Sequence, residues 1–186
     1  MIDDRIQRLT QEHVEIVPYD PRWRLLFARE QSHLIASLPS DLVGRIEHVG
    51  STAVPGLAAK PIVDMLVEVR DLEASKIRIA PVLEAEGYDY IWRPTYGDDG
   101  PPWYAWFIKR DVSGERTHHI HMVEPHFPQW DAILFRDYLR AHPEVAAEYA
   151  ALKRDLAASF PHDRVAYTRG KTEFVTRITD LARGGS

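Results

Sequence analysis

The chain has 186 residues, a net charge of −5 and no cysteine. These values exclude disulfides, thiolate metal ligands and a cysteine nucleophile, and they give no global attraction to nucleic acid or anionic membrane. An apolar share of 45% with 27% charged residues fits one soluble domain over residues 1–186. No apolar run approaches the ~20 residues of a membrane span, and Met1–Gln11 mixes Asp, Arg and Gln unlike a signal peptide. A cytoplasmic protein is expected.

In chain order, Met1–Glu12 is a charged lead-in, and Val14–Val17 alternates weakly as a short edge strand. Asp20-Pro21 predicts a helix start, with Asp as N-cap and Pro at the first helical position. Trp23, Leu26, Phe27, Glu30 and Leu34 follow at helical spacing until Pro39. Arg45–Val49 reads as a strand with Ile46, His48 and Gly50 on one face. A loop of small residues leads to Pro61 and a second strand, Ile62–Val69. That strand is apolar on both faces apart from Asp64 and Glu68, which predicts a central position in its sheet.

Asp71–Gly87 reads as a helix that Pro81 interrupts, and Tyr88–Trp92 as a short strand. Arg93–Pro102 is a Pro/Gly-rich loop. Trp103–Arg110 and Arg116–Val123 form a hairpin around Asp111–Glu115, with Thr117, His119, His121 and Val123 sharing a face. Phe127 onward is helical, with Leu134, Val145, Tyr149, Leu152, Leu156, Phe174, Ile178 and Leu181 predicted inward. The order of elements predicts an α+β (mixed α/β) fold, a short mixed sheet flanked by helices with a helical C-terminal segment.

The chemistry concentrates in His48–Asp64. Gly50 lets backbone approach a ligand, and turns of this kind make concave anion sites. Ser51 and Thr52 add hydroxyls, and Lys60 adds a charge, so a phosphate fits the loop. Asp64 is a charge on an apolar strand, and burying it bare costs several kcal/mol, so a metal or an ion pair must hold it. A second carboxylate is due at position 66, which is leucine. Glu68 has the same parity but lies ~13 Å away at ~3.3 Å per residue. His119 and His121 offer an H-x-H pair that completes a two-His, one-carboxylate metal set with Asp64, with His48 as a fourth ligand. Lys171, four residues after Tyr167, is placed facing the anion site.

The run E-H-V-G-S-T-A-V-P-G-L-A-A-K-P-I-V-D (47–64) resembles the GrpB family, also called UPF0157. So do T-H-H-I-H-M-V-E (117–124), L-F-R-D-Y-L-R-A-H-P-E-V-A-A-E-Y-A-A-L-K-R-D-L-A (134–157) and Y-T-x-x-K (167–171). The resemblance spans Val17 to Leu181. It implies the nucleotidyltransferase superfamily, in which the Gly-Ser pair contacts nucleotide phosphates and the following Asp binds metal. Those roles fall on Gly50, Ser51 and Asp64. The superfamily's second carboxylate falls at Leu66, and its third on the His119–His121 strand. Related domains occur fused to dephospho-coenzyme A kinase.

These readings give a leading expectation and two alternatives. The first is a metal-dependent (Mg or Mn, or Zn) protein of nucleotidyltransferase type acting on a nucleotide or phosphorylated small molecule, with Asp64 catalytic. The second is a non-catalytic nucleotide-binding module assisting a protein partner. The third is a single-metal hydrolase. None calls for nucleic acid or a membrane.

Overall fold

A computed structural model describes residues 12–94 and 101–184. Most of the charged lead-in, part of the Arg93–Pro102 loop and the last two residues lie outside the described residues. Asp20 accepts a hydrogen bond from the Arg22 backbone N–H at 2.9 Å, and helix α1 runs Arg22–Ser37. It stops at Leu38, since the residue before Pro39 is pushed out of helical geometry. Trp23, Glu30 and Leu34 are its buried residues. Leu26, expected inward, is 36% exposed. The Val14–Val17 segment makes a single bridge, Val17 to Ala59.

Strands β1 (Val43–Val49) and β2 (Val63–Val69) flank the small-residue loop. Helices α2 (Leu72–Arg78) and α3 (Ala80–Ala85) are separate, as Pro81 requires. Asp71 caps α2 by accepting from the Ala74 amide at 2.9 Å. Strands β3 (Asp89–Pro94), β4 (Trp103–Arg110) and β5 (Arg116–Val123) follow. The β4–β5 turn closes through Asp111, which accepts from the Ser113 and Glu115 amides at 2.8 and 3.0 Å. Helices α4 (Asp131–Ala141), α5 (Pro143–Ser159) and α6 (Arg164–Gly184) complete the chain.

The sheet order is β1-β2-β5-β4-β3. Only β2 and β5 pair in parallel, so the sheet is mixed, and β2 is internal as its two-sided apolar pattern requires. Residues opposite one another in a ladder share a face. One face carries Ile46, Met65, Val67, Phe107, Ile120 and Met122 against Trp23, Leu34, Ile79 and Leu83 of the helices, and this is the main core. The other carries Asp64, Leu66, His119, His121 and Trp106 beneath the segment leading into α4.

The C-terminal helices face inward differently from the expectation. Phe135, Arg136 and Leu139 are buried on α4, and Tyr149, Ala150 and Lys153 on α5. Leu181 on α6 is half-exposed. The cause is polar. Arg136 donates to the His48 carbonyl at 2.8 Å and to Glu47 at 2.9 Å. Arg140 donates to the Ala53 carbonyl at 2.7 and 3.0 Å. These contacts turn α4 onto the β1–β2 corner, and no count of apolar residues registers them.

Candidate functional site

The corner is built by a backbone that only glycine accepts. Gly50 sits at φ +71, ψ −173, a region closed to other residues. A Cβ there would lie 2.6 Å from Asp64 Oδ2. Gly50 therefore lets the loop press against the carboxylate of the next strand. Ser51–Ala53 then form a single 3₁₀ turn.

Asp64 and His119 are ladder partners, and His121 lies one pleat further along the same face. His119 Nδ1 and Asp64 Oδ1 are 3.1 Å apart. One donor atom each from Asp64, His119 and His121 lies within 4.8 Å of the others. Donors ~2.1 Å from a common ion sit within ~4.2 Å of one another, so modest side-chain rotation brings the three to coordination distance. Burial pushes His119 down to about 4 and His121 down to about 3, against the pull of Asp64. Both imidazoles are thus neutral at pH 7 and keep a ligand lone pair. Burial alone would raise the Asp64 carboxyl, but the His119 hydrogen bond and nearby positive charge outweigh it and hold it near 2. The donor set, two imidazoles and one carboxylate, fits a borderline ion such as zinc better than magnesium, which prefers oxygen.

The far nitrogen of His119 has a partner as well. Arg116 Nη1 is 3.3 Å from His119 Nε2. A guanidinium can only donate, so Nε2 accepts, and the ring proton sits on Nδ1, where it donates to Asp64. Metal ligation by Nδ1 displaces that proton. Arg116 is itself held by Glu12 at 2.5 Å.

His48 and Thr52, expected as metal ligand and phosphate ligand, belong to neither role. His48 is paired with Met65 across β1–β2, which puts it on the core face, opposite Asp64. Its ring stacks on Phe27 at 4.8 Å, and its Nε2 is 3.0 Å from Thr52 Oγ1. Thr52 is 1% exposed. The two polar groups satisfy each other inside the protein, as buried polar groups must.

The cations do converge. Lys60 and Lys171 Nζ lie over the same Tyr167 ring, 5.3 and 4.6 Å from its centre. Lys153, which the sequence reading passed over, reaches the loop from α5. Its Nζ is 2.9 Å from Ser51 Oγ and also donates to the Ala58 carbonyl. Tyr149, four residues earlier, lies under the same ammonium, with Lys153 Nζ 4.8 Å from the centre of its ring. Burial first, then mutual repulsion, lowers Lys60 and Lys153 to about 7. Burial lowers Lys171 to about 8. Asp64 is the carboxylate whose field all three share. A signal for Lys153 was present in the sequence. Tyr149/Lys153 and Tyr167/Lys171 repeat one Tyr-x-x-x-Lys spacing on consecutive helices, and such a spacing places both side chains on one helix face.

Residues 13–181 match the family model described as GrpB protein. The chain belongs to the GrpB family. It is 39% identical over 171 residues to the UPF0157 protein YqkA of Bacillus subtilis, covering 91% of this chain and 47% of YqkA. The chain thus spans about half the length of that relative. A more distant relative is a protein of Mycolicibacterium paratuberculosis named dephospho-CoA kinase, 30% identical over 185 residues, covering 89% of this chain and 45% of that protein. The crystal structure of conserved protein GrpB from Enterococcus faecalis superposes with a TM-score of 0.77 at 33% identity, covering 90% of this chain and 96% of that one. Among the described residues no helix is long and apolar enough to cross a membrane.

Proposed function

We propose that this GrpB protein binds a nucleotide or another phosphorylated small molecule at the Gly50–Ser51 corner and acts on it by metal-dependent phosphoryl or nucleotidyl transfer. One observation carries the reading: Lys153 touches Ser51 of the glycine-serine loop at 2.9 Å, Lys60 and Lys171 converge on one Tyr167 ring, and all three feel the charge of Asp64. Three desolvated cations against one anion leave a site short of negative charge. A phosphate supplies it, and its arrival raises Lys60 and Lys171 back toward their charged state, while Lys153 keeps its hydrogen bonds to Ser51 and the Ala58 carbonyl. Charge-assisted hydrogen bonds from ammonium groups to phosphate oxygens then fix the ligand. Gly50 lets the loop backbone come close. A nucleotidyltransferase-like ancestry agrees with this layout.

Asp64, His119 and His121 are the residues that would hold a divalent ion, which when bound supplies Lewis-acid neutralisation of phosphoryl charge. Arg116, through His119, orients the imidazole that faces Asp64. Ser51 and the three lysines bind and orient the phosphoryl group, and positioning of this kind provides much of the barrier reduction in phosphoryl transfer.

A second reading is a non-catalytic binding module serving a protein partner, for which coenzyme A metabolism is the setting the kinase-named relative suggests. The observation favouring it is Leu66. It occupies the position of a second carboxylate and is buried with Val49, Tyr104 and Val123.

Isothermal titration with ATP, CTP, GTP and UTP, with and without Mn²⁺ or Zn²⁺, tests the proposal. Wild type is expected to bind at least one of them. Lys171→Ala should weaken binding about tenfold or more, since a hydrogen bond to a charged group contributes ~1.5–3 kcal/mol. Asp64→Ala should abolish the metal dependence. Absence of binding by every nucleotide under every metal overturns the proposal, and binding without turnover selects the module.

A further inference from the structure

We infer that Ser51 is a nucleophile with Lys153 as its general base, a Ser–Lys pair that attacks the phosphorus of a phosphoryl group held at the corner. The substrate class rests on the anion-binding reading above; the pairing of the two side chains does not.

Lys153 Nζ and Ser51 Oγ are 2.9 Å apart, within the reach that proton transfer needs. Lys153 is 2% exposed. A buried lysine serving only as a strut is normally charged and paired with a carboxylate. Among the described residues Lys153 has no carboxylate at salt-bridge distance. It takes the Ala58 carbonyl instead. A neutral amine has two N–H groups and one lone pair. With one N–H committed to Ala58, the lone pair is available to accept the Ser51 hydroxyl proton.

The groups facing Lys153 favour that neutral form. Lys171, Lys60 and Arg154 repel its positive charge, and Asp64 opposes them. Burial and these cations bring it to about 7, so a large share is base at neutral pH. The Tyr149 ring lies 4.8 Å beneath Nζ and helps to hold it in place. Nucleophile and base therefore meet directly, without the G-x-S-x-G elbow by which serine hydrolases are usually recognised in sequence.

The step balances as follows. Ser51 Oγ forms a bond to phosphorus while the bond from phosphorus to the leaving oxygen breaks. The hydroxyl proton passes to Lys153 Nζ and then to the leaving oxygen. This leaves a phosphoseryl protein and a free alcohol. Water then attacks the phosphorus and gives a proton to Lys153 while the Oγ–P bond breaks; Lys153 passes that proton to the departing Oγ, which restores the Ser51 hydroxyl and the neutral amine and releases inorganic phosphate.

The test is labelling of the full chain with an alkyl fluorophosphonate, in which the Oγ–P bond forms and fluoride leaves, followed by intact mass and peptide mapping. A single adduct on Ser51 is expected, with a rate that rises with pH through about 7 and falls when ATP is added. Lys153→Arg keeps the cation and much of the bulk but offers no base. It should label ~10²-fold more slowly or worse, with the pH dependence gone and the circular-dichroism melt unchanged. An unlabelled Ser51 in folded wild type overturns the inference without needing any variant, and so does Lys153→Arg labelling at the wild-type rate. Nucleotide binding without labelling leaves Ser51 as an anion ligand: the inference fails and the binding proposal stands. Labelling that no phosphate compound binds to or suppresses overturns the phosphoryl class and the binding proposal together.

Discussion

Neighbouring residues of β2 and β5 live under opposite constraints. Met65 and Ile120 are ladder partners on the core face, both fully buried among apolar side chains. Asp64 and His119, one residue back on each strand, face the other way. The Asp64 side chain is 34% exposed and the two make a polar pair at 3.1 Å. The core face is satisfied by packing and by closed polar pairs such as His48–Thr52. The opposite face gathers a carboxylate, imidazoles and lysines whose charges do not balance, and that imbalance is what a ligand can relieve. On the proposed reading, stability and function are thus divided between two faces of one sheet, separated by a single residue step.

The largest expected effect tests this division directly. Ile120→Ala removes fully buried methyl groups from the core face and should cost ~2–5 kcal/mol. At ~2–4 °C per kcal/mol for a chain of this size, the melting temperature should fall visibly by calorimetry while the variant still binds ligand. Asp64→Asn should do the reverse, with less than half that fall in melting temperature and loss of metal-dependent binding. If Asp64→Asn melts as low as Ile120→Ala, the carboxylate is a structural strut and the division fails.

A smaller effect follows from the lysines. Lys60 and Lys153 are lowered to about 7 and Lys171 to about 8 in the folded protein, against 10.5 ordinarily. Between about 7 and 10.5 the unfolded chain therefore binds more protons than the folded one. Stability rises with pH wherever that holds, and below about 7 the unfavourable contribution is at its full, constant value. The ligand-free protein should melt several degrees higher at pH 9.5 than at pH 6.5 by scanning fluorimetry. A saturating phosphate ligand should reduce the slope by restoring the protons of Lys60 and Lys171. A slope that is flat without ligand means the lysines are already compensated, and the charge imbalance is absent.

These two faces were unequally legible in the sequence. Period-two patterning located the strands, the hairpin and the internal place of β2, because burial on one face leaves an apolar residue at every second position. The same parity put His119 and His121 on one face, donor chemistry suggested Asp64 as their partner, and the structure brings the three together. Parity within one strand says nothing about which way its neighbour is turned, so His48 was grouped with Asp64 although the β1–β2 register sets them on opposite faces. The inward faces of α4 and α5 were misjudged for another reason. Arg136 and Lys153 are buried by the carbonyls of His48 and Ala58, and a reading that seeks apolar residues at helical spacing passes over a buried cation. The lysine that touches Ser51 was invisible on that account, although its spacing from Tyr149 was in view.

The last and smallest effect sharpens the boundary between the faces. Thr52→Val keeps the shape of a side chain that is 1% exposed and removes the hydroxyl that partners His48 at 3.0 Å. His48 Nε2 is then left buried without its hydrogen bond, which should cost ~1 kcal/mol. Burial already holds His48 down at about 4, so the ring is neutral at pH 7 and no ionic interaction is lost with the hydroxyl. Because the pair sits on the core side, metal and nucleotide affinities should stay within about twofold of wild type by the same titrations. A Thr52→Val protein that folds normally but loses phosphate or metal affinity would return Thr52 or His48 to the site, and the line between the two faces would then run through the corner loop instead of along β1 and β2.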